Sequence, residues 1–143
     1  MTEEPLDPGY LLSSMHDAKA GALVLFSGEV RNHSHGREVE ALYYESHASM
    51  AEKMIAQIIQ DAYGKYKLHG ALCVHRTGRV EVCESAVVVI TSSSHREEAY
   101  AANRYIIDRV KHEAPIWKQE IFADGTKEWG HNCSCSQHKP EIE

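Results

Sequence analysis

The chain has no long hydrophobic run. Its apolar stretches, such as Ala86 to Ile90, have the length of a strand and fall far short of the ~20 residues that cross a bilayer. It also has no excess of basic residues. With 15 Lys and Arg against 21 Asp and Glu the formal charge is −6, which excludes a general nucleic-acid binder, since affinity for a polyanion comes from net positive charge. A local basic pocket stays open. Glu3, Glu4 and Asp7 stand where a signal peptide needs basic and then apolar residues, so a cytoplasmic location is expected. The four cysteines read as thiols, and Cys73 and Cys83 fall in apolar, strand-like stretches where a free cysteine acts as a small hydrophobe. No nucleophile elbow, phosphate loop or dinucleotide fingerprint occurs. Histidine, by contrast, is plentiful, with ten copies.

A length of 143 residues, 43% hydrophobic and 25% charged, suits one globular domain with a core of its own. Asp7-Pro8 opens a short helix. Ala22 to Phe26 is a continuous apolar strand, expected to be buried on both faces and to run on to Arg31. The polar Asn32 to Gly36 then leads into an alternating strand from Val39, and the two strands are expected to form a long hairpin. Ser49 and Glu52 fit a capping box ahead of a helix carrying Ala51, Met54, Ile55, Ile58, Ile59 and Ala62 on one face, with Gly64 as its stop. Gly70 to Thr77 reads as a strand, Gly78 to Ser85 as a turn with a short extended piece, and Ala86 to Thr91 as a central strand. Ser94 and Glu97 fit a second capping box, before a helix with Ala99, Ala102, Ile106, Ile107 and Val110 on its apolar face, ended by Pro115. Ile116 to Phe122, the turn Asp124-Gly125 and Lys127 to Trp129 complete an α+β domain. The expected organisation is an N-terminal segment over residues 1–20, the domain over 21–129, and a polar, flexible tail over 130–143.

Five cations stand at or near element boundaries: Arg31, His95, Arg96, Lys111 and Lys118. Such positions let a rigid frame hold side chains in a pocket. His95 and Arg96 also sit at a helix start, where free N–H groups and a partial positive charge favour an anion. A lysine beside other cations in a partly dry cleft has its ammonium form disfavoured, which brings proton transfer within reach near neutral pH. Taken singly, each of these residues is an ordinary solvated surface charge. The alternation of Val74, Arg76 and Gly78 reads as a half-exposed strand, so His75 and Arg76 are assigned to structure.

Two histidine clusters invite a metal, His33-Ser34-His35 and the run His131 to His138 with Cys133 and Cys135. In the second, the Cys-x-Cys spacing is tighter than the usual structural-zinc knuckle, and no apolar residues surround it. No metal and no cofactor are expected.

From Gly21 to Trp129 the chain resembles the large, catalytic subunit of molybdopterin synthase. The resemblance is carried by Phe26-Ser27-Gly28-Glu29-Val30-Arg31-Asn32-His33, by Tyr44-Glu45 with Met50 to Lys53, and by Val74-His75-Arg76-Thr77-Gly78. It continues through Thr91 to Arg96 and Lys111-His112-Glu113-Ala114-Pro115-Ile116-Trp117-Lys118-Gln119-Glu120, so it spans about three quarters of the sequence, in order.

The resemblance implies an α/β hammerhead-type fold with an antiparallel β subdomain, and a homodimer inside a heterotetramer. The partner it implies is a small ubiquitin-like sulfur carrier ending in a Gly-Gly thiocarboxylate. The implied substrate is cyclic pyranopterin monophosphate, which receives two sulfurs. Carried over by position, Arg31, His95 and Arg96 bind the phosphate, Lys111 meets the thiocarboxylate, and Lys118 binds substrate and transfers protons. Glu29, Val30, Gln119 and Glu120 are the flanking substrate-binding positions. Gln119 stands where many members carry a second basic residue. The alternative from another class is a non-catalytic, anion-binding scaffold that docks the carrier, and two retained lysines argue against it.

Overall fold

The computed structural model describes residues 1–131, so the Cys133, Cys135 and His138 cluster lies outside the described residues, as does the expected tail beyond His131. In chain order the elements are α1 (Pro8–Ser13), β1 (Ala22–Glu29), β2 (His33–Ser34), β3 (Arg37–Ser46), α2 (Ala48–Lys65), β4 (Gly70–His75), β5 (Gly78–Glu81), β6 (Ser85–Ser93), α3 (Arg96–Glu113), β7 (Ile116–Phe122) and β8 (Lys127–His131). Strand β8 thus runs two residues past the expected Trp129.

The strands form two antiparallel sheets, one ordered β1-β6-β4 and the other β2-β3-β7-β8 with β5 on the side of β3. Helix α3 packs on β6 and β1, while α2 packs on α3 and β4. This is the single-domain α+β architecture read from the sequence. Strand β6 is the central one as expected, and every residue from Ser85 to Ser93 is buried. Val87 to Ile90 with Ile58 and Ile106 form the middle of the core, each such side chain contributing roughly 1.5–3 kcal/mol by leaving water.

The expected long hairpin does not form. Strand β1 pairs with β6, and β3 pairs with β7 and β5, so the two belong to different sheets. The chain changes sheets at Val30, whose N–H donates to Glu84 O and whose carbonyl accepts from Cys83 N. The hairpin that does form is the short β2–β3 ladder, turned by His35 (φ 51°) and Gly36 (φ 75°). Strand β1 is an edge strand whose residues are half-buried rather than enclosed on both faces.

Both capping boxes are displaced. The cap of α2 is His47, two residues before the expected Ser49, because His47 N bonds to Pro115 O and holds His47 extended; its Nδ1 then accepts from Met50 N. Helix α3 begins after His95, whose side chain makes no capping bond, while the Ser94 hydroxyl lies 2.8 Å from His69 Nε2. Helix α2 passes Gly64 and ends at Lys65. Asp7 does cap α1 as expected, accepting from Tyr10 N with Pro8 in the first turn. Cys83 lies in an exposed turn with φ 72°, not in an apolar strand, whereas burial pushes the Cys73 thiol in β4 up to about 12.

Two buried side chains fix α3 on its sheet. Asn103 donates to Val24 O at 3.1 Å and Val89 O at 3.0 Å, which ties the helix to two strands, and Thr91 Oγ1 donates to Ala99 O at 2.7 Å. On the outside of the helix pair, Arg109 joins Asp61 of α2 to Glu113 and Tyr105 of α3. The C-terminal end of α3, and with it Lys111, therefore has a defined place.

Candidate active site

The end of α3 meets the end of β1 and the inner face of β7 at the seam between the two sheets. A pocket of about 260 Å³ opens there, and its lining includes Glu29, Arg31, Tyr44, His75, Lys111, Lys118 and Glu120. Each arrives by simple local geometry. Lys111 lies in the last turn of α3, where a cation also complements the helix dipole. Lys118 and Glu120 alternate on one face of β7, and Lys118 is in register with Tyr44 of β3. Pro115 turns the chain between the two lysines, so they converge from different elements rather than along one helix face.

The electrostatics follow from this crowding. Burial lowers the Lys111 amine below its usual value, and the charges of Lys118 and Arg31 lower it further. Burial also lowers Lys118, with Arg31 in the same sense and Glu120 in opposition. Burial pushes the Tyr44 phenol up to about 12, aided by the Glu120 carboxylate. The pocket is thus a cationic recess with amines biased toward their neutral form, and it suits an anion and proton transfer.

Of the residues named from the sequence, Arg31, Lys111, Lys118, Glu29 and Glu120 are brought together. Val30 is only 3% exposed and packs into the core, because the change of sheet turns it inward. Gln119 falls on the opposite face of β7, in register with Tyr43 and Trp129. His95 and Arg96 are exposed at the other end of α3, on a separate recess with Glu97 and Glu98. The helical rise puts Arg96 about 22 Å from Lys111, so within one chain the two groups do not share a pocket.

Sequence reasoning missed Tyr44 as a lining residue and assigned His75 to structure alone. Alternation in β3 placed Leu42 and Tyr44 on one face, and the missing information was which strand lies opposite. Arg76 is structural as assigned, but it is buried beyond the end of β4 rather than set on a half-exposed strand: it is 7% exposed, donates to Glu3 O and Arg79 O, and pairs with Glu84. Among the described residues no three His, Cys, Asp or Glu side chains are placed to hold a metal ion, and no helix is long and apolar enough to cross a membrane.

The family model described as MoaE protein matches residues 1–113. The molybdopterin synthase catalytic subunit of Thermoplasma volcanium is 44% identical over 129 residues, covering 90% of this chain and 94% of that protein. The subunit of the same name from Bacillus subtilis is 38% identical over 129 residues, covering 90% and 82%. The crystal structure of molybdopterin synthase from Staphylococcus aureus superposes with a TM-score of 0.82 at 37% identity, covering 90% of this chain and 93% of that one.

Proposed function

The chain belongs to the MoaE family, and on that footing we propose that its cationic pocket is where sulfur passes from a carrier protein to a pterin in molybdenum cofactor biosynthesis. The activity is that of a molybdopterin synthase catalytic subunit, a sulfurtransferase. Cyclic pyranopterin monophosphate receives two sulfurs from the thiocarboxylated C-terminus of a small, ubiquitin-like carrier subunit. The observation that carries the residue assignment is the placement of Lys111, Lys118 and Arg31 in one recess, with both amines pushed down.

In this reading the carrier's Gly-Gly tail brings its thiocarboxylate against Lys111. Two unit anions about 4 Å apart repel by roughly 4 kcal/mol at an effective dielectric of 20, so thiocarboxylate and phosphate meet only where cations offset them. Arg31, Lys111 and Lys118 supply that offset. At each of two pterin carbons the sulfur takes the place of an oxygen, which leaves as the opened phosphate or as water, and water then cleaves the acyl–sulfur bond, leaving the carrier as a carboxylate. Lys118, with its lowered amine, moves protons on and off the reacting atoms as the cyclic phosphate opens. Glu120, on the same strand face, acts on Lys118 through its charge and favours the ammonium form, and Glu29 also lines the pocket. The carrier supplies the nucleophile, so neither a cysteine nor a cofactor of this chain takes part.

His95 and Arg96 keep the phosphate role by acting in trans. A second copy of the chain brings the start of its α3 to the pocket of the first, so each site of the homodimer draws on both chains, with one carrier bound at each. The assembly works in the cytoplasm, where Cys73 stays a thiol. Reconstitution tests the function: the purified chain, the thiocarboxylated carrier and cyclic pyranopterin monophosphate are expected to yield a dithiolene. Absence of product with an intact carrier contradicts the reading.

A further inference from the structure

His75 ends β4 and is only 1% exposed, yet it lines the pocket with Lys111. Its ring is fixed from two sides. Nδ1 lies 2.8 Å from the carbonyl oxygen of Arg76, and the ring stands edge-on to Tyr44 with centroids 5.0 Å apart and planes at 74°. That carbonyl belongs to a clamped residue, since Arg76 N donates to Ala86 O and the guanidinium is held by Glu3 O, Arg79 O and Glu84. A carbonyl only accepts, so the Nδ1 edge carries the proton, and in a neutral ring Nε2 is then an acceptor. Burial keeps the ring neutral by lowering it to about 4; the Arg76 carbonyl opposes that shift, and the Lys111 and amino-terminal charges add to it.

Lys111 needs such a neighbour. The charges acting on it, from Lys118 and Arg31, are cationic and repel it. A carboxylate partner would lock it as an ammonium ion, and a charged imidazole would add to the repulsion. A neutral acceptor can hold the amine without fixing its charge.

We propose that His75 is a positioning residue for sulfur transfer, held by the Arg76 carbonyl and Tyr44 as an Nε2 acceptor that orients the Lys111 amine toward the arriving thiocarboxylate. This rests on the role given to Lys111 above. The charged and titratable groups around the ring are Lys111 from α3, Tyr44 from β3 and the amino terminus, which pairs with Glu52. Arg31, His33, Lys118, Glu29 and Glu120 also line the pocket.

The test compares wild type, H75N, H75Q and K111A in single-turnover transfer from the thiocarboxylated carrier to cyclic pyranopterin monophosphate. Melting temperature and pterin affinity are measured alongside. Asparagine sets its amide nitrogen near the position of Nδ1 and keeps the bond to Arg76 O, whereas glutamine reaches the position of Nε2. H75N is expected to bind the pterin as wild type does but to transfer roughly tenfold more slowly, with its rate–pH profile displaced. H75Q is expected to stay within about threefold of wild type. A purely structural histidine gives the reverse order, and that order overturns the proposal, as does H75N at wild-type rate and pH profile. Should H75N not fold, H75Q decides: a near-wild-type rate supports the proposal and a large loss overturns it. An inactive wild type, or K111A at full rate, removes the reading of the site itself and this proposal with it.

Discussion

Lys111 and Lys118 line one pocket, close enough for the charge of Lys118 to depress the Lys111 amine, although one lies in the last turn of a helix and the other sits in a strand. A fold gains nothing from holding two ammonium groups together in a partly buried recess. Their folded pKa values lie below the unfolded ones, so between those values the unfolded chain binds more protons and stability rises with pH. Wherever both groups carry their charge the repulsion acts in full.

Replacing either lysine by methionine is therefore expected to stabilise the protein at pH 7, by up to about 1 kcal/mol, while impairing transfer. Thermal melting at pH 7 and again near pH 10 checks this. The gain shrinks at the higher pH, where the wild-type amines no longer carry full charge.

His75 gives an acid limb of its own. A base whose folded value is about 4 against 6.5 leaves the unfolded state holding more protons between those limits, so stability is lost as pH falls from 6.5 to 4. The shift corresponds to roughly 3 kcal/mol. Carboxylates held low by hydrogen bonds, Asp61 and Asp124 among them, add their loss only at lower pH. Urea unfolding of wild type and H75Q between pH 7 and 4 is expected to show a slope in the first and a much flatter line in the second.

Much of the frame was legible before the structure. Helix α3 was marked by Ala99, Ala102, Ile106, Ile107 and Val110 at helical spacing and by Pro115 beyond it, and all five are buried. Strand partners were not legible. Periodicity states which face of β1 or β3 is apolar but not which strand lies alongside, and the bonds of Val30 to the 83–84 turn are what send the two strands to different sheets. The same limit governs the site. Arg31, Lys111 and Lys118 could be picked by charge and boundary position, whereas His75 and Tyr44 enter the pocket through pairings between distant segments. His95 and Arg96 mark the limit in the other direction: charge and boundary position grouped them with the lysines, yet they stand at the opposite end of α3 from Lys111.

Gly21 tests how the start of α3 is built. A Cβ at this position would lie 2.5 Å from the backbone oxygen of Ser94, the residue before the His95 cap. G21A is expected to cost about 1–3 kcal/mol, since backbone rather than a flexible side chain must move. Denaturant titration measures the loss. Pterin binding should weaken as well, because the displaced segment carries His95 and Arg96.

A pocket shared between chains makes a quantitative demand. K118A and R96A homodimers are each inactive on this account, but after subunit exchange half of the dimers are mixed and each mixed dimer has one intact site. About a quarter of wild-type activity should return on mixing. No recovery, with exchange confirmed by mass spectrometry, contradicts sharing.

The central claim is that the paired amines of this pocket carry the chemistry, and the rate of the first sulfur transfer in K118A tests it most directly. With saturating pterin and thiocarboxylated carrier, the loss of a proton-transfer group is expected to slow a single turnover by roughly 10²–10⁴, with the fold and carrier binding unchanged. A K118A protein that transfers sulfur at the wild-type rate would contradict the account.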